Sequence, residues 1–305
     1  MHNKFNITLI LFSIALLILS GCQEQSSNGP LSGPYKVSGN KMVEAIFAQD
    51  APTSLESDPY RVGEEIDVAV ELNNKHTEDI PAGNVKVRLT GDAAIPTFFE
   101  GAKIVLATGL QGYDTISNLA YPEEIEVGPI RYINEIPTKS AKMITGQYCY
   151  EYPVKVKGFL YYTDDSTKIS NNLPHGSNPP SSLQVTKISQ EPVNVNGDTA
   201  TLDFRVTVRN VGTGTLVEGL DQCFQYREKR AREYFALIAK GAYPITCEND
   251  GYVRLSRDTK EKVIDCKVIG IDATNINEEP SELSLTLTGF AYEDEIPAIT
   301  IWLEP

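Results

Sequence analysis

Apolar and polar side chains alternate strictly along two stretches of this chain. Ile66, Val68, Val70 and Leu72 share one parity, while Asp67, Ala69, Glu71 and Asn73 share the other. Further on, Ala200, Leu202, Phe204, Val206 and Val208 alternate with Thr199, Thr201, Asp203, Arg205, Thr207 and Arg209. Period two over this length predicts β-strands with one buried and one wet face. The two stretches superpose at an offset of 136 residues, placing Ile66 on Leu202, Val68 on Phe204 and Asn74 on Asn210. Upstream, Gln49-Asp50-Ala51-Pro52 echoes Gln190-Glu191-Pro192. Matching flanks and a shared Asn at the strand exit read as an internal duplication.

Further strands are expected at Val85–Leu89, Lys103–Ala107 and, as one long element, Tyr148–Tyr162. In the second half they fall at Tyr252–Leu255, Lys262–Val268, Leu283–Leu287 and Ile299–Leu303, punctuated by turns such as Asp250-Gly251. Many short strands at this spacing predict a mainly β chain of tandem Ig-like antiparallel sandwiches. One short helix is expected, inserted in the second domain. Ala231, Tyr234, Phe235 and Ile238 stand at i, i+3, i+4 and i+7, and Gly241 would end the helix.

The N-terminus carries a different pattern. Lys4 precedes an apolar run from Phe5 to Leu19, which closes on Leu19-Ser20-Gly21-Cys22. These are the charged, apolar and small-residue regions of an export signal, and the run is shorter than the roughly 20 residues of a spanning helix. A cysteine after the small pair resembles a lipobox, in which the thiol is lipidated and the chain is cut before it. The expected organisation is therefore a signal over 1–21, a flexible tether over 22–34 and a first sandwich over 35–170. A Pro-rich linker over 171–182 and a second sandwich over 183–305 would follow. Pro174, Gly176, Pro179 and Pro180 make that linker a stiff, extended spacer. The expected location is the extracellular face of the cell membrane, held by lipid on Cys22.

Charge narrows the partners. With 27 basic and 41 acidic residues, the net charge of −14 repels nucleic acid. The one dense basic cluster, Arg227 to Arg232, is interrupted by Glu228 and reads as a solvated face. With Cys22 lipidated, Cys149, Cys223, Cys247 and Cys266 remain, an even number that suggests disulfides in an exported chain. Four cysteines allow three pairings. The Cys247–Cys266 pair is favoured, since it closes a loop of about 20 residues. A zinc site lacks both a CxxC and a nearby histidine.

Catalytic vocabulary is sparse. After the signal only His76 and His175 remain, and both read as exposed loop residues. Gly-x-Ser-x-Gly, HExxH and phosphate-cradling loops do not occur. No catalytic residue, metal ligand or cofactor is nominated, and the chain is read as a non-enzyme. A hydrolase would need His76 within reach of a serine and a carboxylate. Acidic pairs such as Glu64-Glu65, Asp164-Asp165, Glu278-Glu279 and Glu293-Asp294-Glu295 read as solvated turns. Calcium is the one cation they could hold, but none has EF-hand spacing; Glu248-Asn249-Asp250-Gly251 comes nearest. Tyr148, Tyr150 and Tyr152 fall on one strand face, with Cys149 and Glu151 on the other. Core packing is the favoured reading of this stripe. The alternative makes these tyrosines contacts for a glycan or a protein partner.

Asp203-Phe204-Arg205-Val206-Thr207-Val208-Arg209-Asn210-Val211-Gly212-Thr213-Gly214 is similar to the strand and turn of CARDB-type (cell-adhesion-related) domains. The first half, with Gly63-Glu64-Glu65 before its strand and Glu71-Leu72-Asn73-Asn74 ending it, resembles the same class more distantly. A signal followed by tandem Ig-like units also resembles archaeal S-layer-associated surface proteins. The resemblance covers about 30 residues of each half. It implies an Ig-like fold and a surface location, and it carries no catalytic residues. The expected role is adhesion or envelope architecture, with the membrane and other surface proteins or glycans as partners. Capture of a glycan or peptide is the second expectation. The helix and the three clustered cysteines depart from a plain domain of this kind.

Overall fold

A computed structural model describes residues 39–305 except 115, 117–120, 170–177, 226–232, 257 and 277–278. The signal, Cys22, the tether, most of the linker, His175, Glu278 and the basic cluster therefore lie outside the described residues. The described chain is mainly strands, and its pairings are antiparallel except for one short parallel edge pair.

The first sandwich sets a sheet of β1 (Val43–Phe47), β4 (Ala69–Asn74) and β8 (Glu123–Glu126), in the order β1-β4-β8, against a longer one. The longer sheet runs β15-β21-β10-β5-β7, from β15 (Thr215–Val217), β21 (Ala291–Glu304), β10 (Ser140–Tyr150), β5 (Val85–Gly91) and β7 (Ile104–Leu106). Strand β2 (Tyr60–Arg61) adds to β21, and β3 (Glu65–Ile66), β9 (Ile130–Tyr132) and β6 (Phe99–Glu100) form a small satellite sheet. The second sandwich has β12 (Leu183–Gln190), β14 (Thr199–Asn210), β19 (Glu261–Asp272) and β17 (Ile245–Cys247) on one side, with β13 (Asn194–Asn196) on β14. On the other lie β11 (Val154–Tyr161), β20 (Pro280–Thr288), β16 (Tyr234–Lys240) and β18 (Tyr252–Arg254).

The alternation seen in the sequence becomes burial. Ala200, Leu202, Phe204, Val206 and Val208 of β14 are all buried, as are Ile66, Val68, Val70 and Leu72. Each such aliphatic or aromatic side chain contributes about 1.5–3 kcal/mol on burial. The duplication is visible in hydrogen bonds as well. Asn74 Oδ1 accepts the His76 N–H at 2.9 Å while its Nδ2 donates to the Glu78 carbonyl at 2.9 Å. Asn210 repeats this with Gly212 N–H at 3.1 Å and the Gly214 carbonyl at 3.2 Å. Beside them, Lys75 N–H donates to Met42 O and Val211 N–H to Ser182 O, both at 2.7 Å.

Sheet membership cuts across the expected domain boundary. Ordered by chain position, the first half supplies β1, β4, β5, β7, β8 and β10, and the second supplies β12, β14, β16, β18, β19 and β20. In each half the first, second and fifth strands form one sheet and the sixth, third and fourth the other, as in Ig-class sandwiches. The seventh strand of each sandwich comes from the other half. β21 pairs with β10, from Ser140↔Leu303 to Tyr150↔Tyr292, and β11 pairs with β20, from Val154↔Leu287 to Tyr161↔Pro280. The halves have thus exchanged their last strands, and the described residues fall in one compact unit. Two separate sandwiches divided at 171–182 do not describe these sheets, and the expected single strand Tyr148–Tyr162 is two strands in two sheets.

The helix is also corrected. Tyr234, Phe235 and Ile238 lie in β16, between β20 and β18. The segment Tyr-Phe-Ala-Leu-Ile-Ala is apolar at nearly every position, so it satisfies a period of 3.6 and a period of 2 equally. Cross-strand partners decide: Phe235 and Leu237 face the core, and Ile238 stays 47% exposed. Ala231 lies outside the described residues. Helical structure among the described residues is confined to single 3-10 turns.

Candidate functional site

Several polar side chains meet where the strands cross. Tyr148 and Tyr150 project inward from β10 and Tyr292 from β21, all three buried. Tyr148 and Tyr150 stack at 6.3 Å between centroids, and Tyr150 and Tyr292 lie tilted at 5.7 Å. The Tyr148 hydroxyl donates to the Val43 carbonyl at 2.9 Å. Tyr150 and Tyr292 both share the Ser182 hydroxyl. Burial pushes all three phenols up: Tyr292 to about 12, partly offset by Ser182, with Tyr148 and Tyr150 also well above the usual range. They are neutral hydrogen-bonding posts rather than proton carriers at physiological pH.

Asp294 completes the seam. It follows Tyr292 at period two, so it points inward, where Lys41 Nζ meets its Oδ2 at 3.2 Å. Thr213 Oγ1 donates to the same carboxylate at 3.1 Å, and the Tyr148 hydroxyl approaches it at 3.4 Å. The loop that brings Thr213 there is the Gly-Thr-Gly of the CARDB-like stretch, and its glycines are required by close approach. A Cβ on Gly212 would stand 2.1 Å from the Tyr292 hydroxyl, and one on Gly214 2.1 Å from the Glu293 carbonyl. Gly214 N–H donates to the Tyr292 hydroxyl at 2.6 Å.

A cleft of about 610 Å³ opens beside this seam, lined by Lys41, Thr90, Thr145, Gln147, Thr213 and Asp294 among others. Its lining is mostly polar, with Ile296, Pro297 and Ala298 on one side, and contains no aromatic ring. Thr90 and Thr145 hydroxyls pair at 2.9 Å, and Gln147 Oε1 accepts from Arg88 at 2.7 Å. The groups that face it are largely engaged with one another.

The cysteines form two disulfides, Cys149–Cys223 and Cys247–Cys266. The second staples β17 to β19 within one sandwich. The first ties β10 of the first half to the segment after β15, and so links the halves covalently. Cys149, Val217, Cys223, Phe224 and Ala291 pack as a small apolar cluster there. The Arg88 guanidinium lies 4.7 Å over the Phe224 ring.

Of the candidate ligand contacts, Tyr148 and Tyr150 stack together inside the core. Tyr152 is buried too, packs on His76 at 5.4 Å and donates its hydroxyl to Glu78, which Lys155 also holds at 2.8 Å. His76 is a correction: it is buried, not exposed, because Asn74 turns the chain back over Tyr152. Its Nδ1 accepts the Glu78 N–H at 2.9 Å, which occupies the ring nitrogen with backbone. Burial lowers its pKa. Among the described residues no group of three or more His, Cys, Asp or Glu is placed to hold a metal ion, and no helix is long and apolar enough to cross a membrane. Lys41, Ser182 and Tyr292 are not singled out by the sequence, and Glu293-Asp294-Glu295, which reads there as a solvated turn, lies instead within β21 with Asp294 buried. The alternation of Tyr292, Asp294 and Ile296 is the signal that marks Asp294 as inward-facing, and it is masked by the flanking glutamates.

No protein-family model matches the chain, and no curated protein does. Among solved structures, a serine-rich repeat adhesion glycoprotein from Streptococcus agalactiae aligns over 90% of this chain and 99% of its own, at 10% identity and a TM-score of 0.18. A likeness at that score carries no argument about fold or function.

Proposed function

We propose that this is a lipid-anchored protein of the extracellular membrane face, a non-catalytic contact module for adhesion or envelope architecture. The observation that carries the reading is the joining of the halves by exchanged strands and by Cys149–Cys223 into one body. A disulfide suits an exported protein, and a continuous two-sandwich body holds a contact face in fixed orientation on a tether. The outer strand β7 offers such a face: Ile104 is 65% exposed and Leu106 53%. An open strand edge with apolar outward residues suits pairing with a protein partner. Capture of a glycan or peptide by the tyrosine stripe is the weaker reading, because those rings are buried and do not line the cleft beside Lys41 and Asp294.

The test is display of the full chain and of Cys22→Ser on the same cells. The expected result is membrane retention and cell–cell aggregation for the former, with both lost for the latter. Equal retention at full length would refute the lipid anchor. Retention without aggregation or envelope defects would refute the contact role.

A further inference from the structure

We infer that residues 39–161 and 178–305 are obligate partners whose association does not require the segment that connects them. Each half lacks the seventh strand of its own sandwich. Without β21, β10 would lose its partner along Ser140–Tyr150 and present a bare edge; without β11, β20 would do the same along Pro280–Leu287. The exchanged strands are also core. Val154, Val156 and Leu160 of the first half, and Ile296, Ile301 and Leu303 of the second, are fully buried. A third strand, β15, crosses from the second half to pair with β21 beside β10.

Polar bonds cross as well. Gln184 Nε2 donates to the Gly39 carbonyl at 2.8 Å, Ser182 Oγ to the Asn40 carbonyl at 2.9 Å and Lys86 Nζ to the Leu220 carbonyl at 2.9 Å. Cys149–Cys223 then makes the union covalent. Hydrolysis of a peptide bond between Ser170 and Ser177 therefore leaves a two-chain body. A half held at a membrane through its N-terminus would keep the other half with it, even under reduction, because the strand pairing is independent of the sulfur bridge. This inference rests on the pairing and not on the contact role proposed above.

The test replaces residues 171–177 of the full chain, in mild detergent, by a sequence-specific protease site. After cutting, the protein is expected to elute as one species of uncut size with and without reductant. A denaturing gel should show one band without reductant and two with it. The double variant Cys149→Ser, Cys223→Ser, cut in the same way, should still elute as one species but give two bands in either gel. Separate elution of the halves in native buffer, for either protein, overturns the inference. Should the altered segment prevent folding, the unaltered chain is cut by a broad-specificity protease and the nick mapped by mass. Co-elution or separation of the pieces then decides in the same way.

Discussion

Tyr150 of β10 stands opposite Tyr292 of β21 in register, their ring centroids 5.7 Å apart. The pair marks the crossing. Four residues after Tyr150 the chain enters the other sandwich as β11, and Tyr292 belongs to the strand that comes back. Tyr148 and Tyr150, whose favoured reading in the sequence is core packing, are buried at this crossing.

Glycine at 212 and 214 is dictated by that crossing. Gly212→Ala places a methyl 2.1 Å from the Tyr292 hydroxyl, and Gly214→Ala one at 2.1 Å from backbone. Overpacking of this kind costs about 1–3 kcal/mol. The Gly214 variant should lie at the upper end, since backbone yields less readily than a side chain. Urea midpoints of the two variants check both magnitude and order.

The two disulfides should differ in weight. Cys149–Cys223 closes a separation of 74 residues and Cys247–Cys266 one of 19. In the chain-entropy view these stabilise by about 4 and about 3 kcal/mol. Paired serine replacement at 149 and 223 should therefore lower the unfolding midpoint more than replacement at 247 and 266. The reverse order would show that strain or solvation governs.

Alkaline pH should loosen the seam. Tyr292 is raised to about 12, and Tyr148 and Tyr150 are raised too, chiefly by burial. A group raised in the folded state contributes stability that is whole below its unfolded pKa of about 10 and lost as pH climbs towards the folded one. Melting temperature should fall above pH 10, with phenolate absorbance appearing together with unfolding.

Acid acts at the other turn. Burial lowers the His76 pKa from 6.5, and bonds from Lys155 and Tyr152 lower Glu78 from 4.5. Both groups contribute stability present above those unfolded values and lost as pH falls below them. The wild type should begin to soften near pH 6.5, and His76→Gln should flatten only that upper part of the profile. Thermal melts between pH 4 and 8 distinguish the two.

The exposed edge predicts a separation of folding from function. Ile104→Glu with Leu106→Glu, opposite Arg88 and Lys86 of β5, should abolish cell–cell aggregation while shifting stability by within about 0.5 kcal/mol per site, as exposed positions do. Aggregation that survives both changes would move the contact face elsewhere.

Much of the β architecture is legible from period two: the five inward residues of β14 and the Asn74/Asn210 repeat fall where the alternation puts them. Ile66, Val68, Val70 and Leu72 are buried, although Ile66 lies in β3 and Val70 and Leu72 in β4, in different sheets, and Ala69 of the polar parity is buried too. The partners of those strands are not legible in this way. Val154 and Ile296 look alike whether they pack on their own half or on the other, because alternation specifies a face and not a neighbour. The same limit leaves Cys149 without an assigned partner, whereas the helix read from Ala231, Tyr234, Phe235 and Ile238 arises because an almost wholly apolar run fits both periods. Asp294 reads as part of a solvated turn because Glu293 and Glu295 flank it, and His76 reads as exposed because every residue from Asn73 to Asp79 is polar.

The lone tryptophan gives the most direct test of strand exchange. Trp302 belongs to the second half in sequence but sits in β21, which pairs with β10 of the first, beside Lys139. Val87 is fully buried on β5, the other neighbour of β10. Val87→Ala should cost about 2 kcal/mol, and the urea midpoint of Trp302 fluorescence should fall together with that of the backbone signal. A Trp302 midpoint left unmoved by Val87→Ala, with an earlier loss of backbone signal from the first half alone, would contradict the exchange.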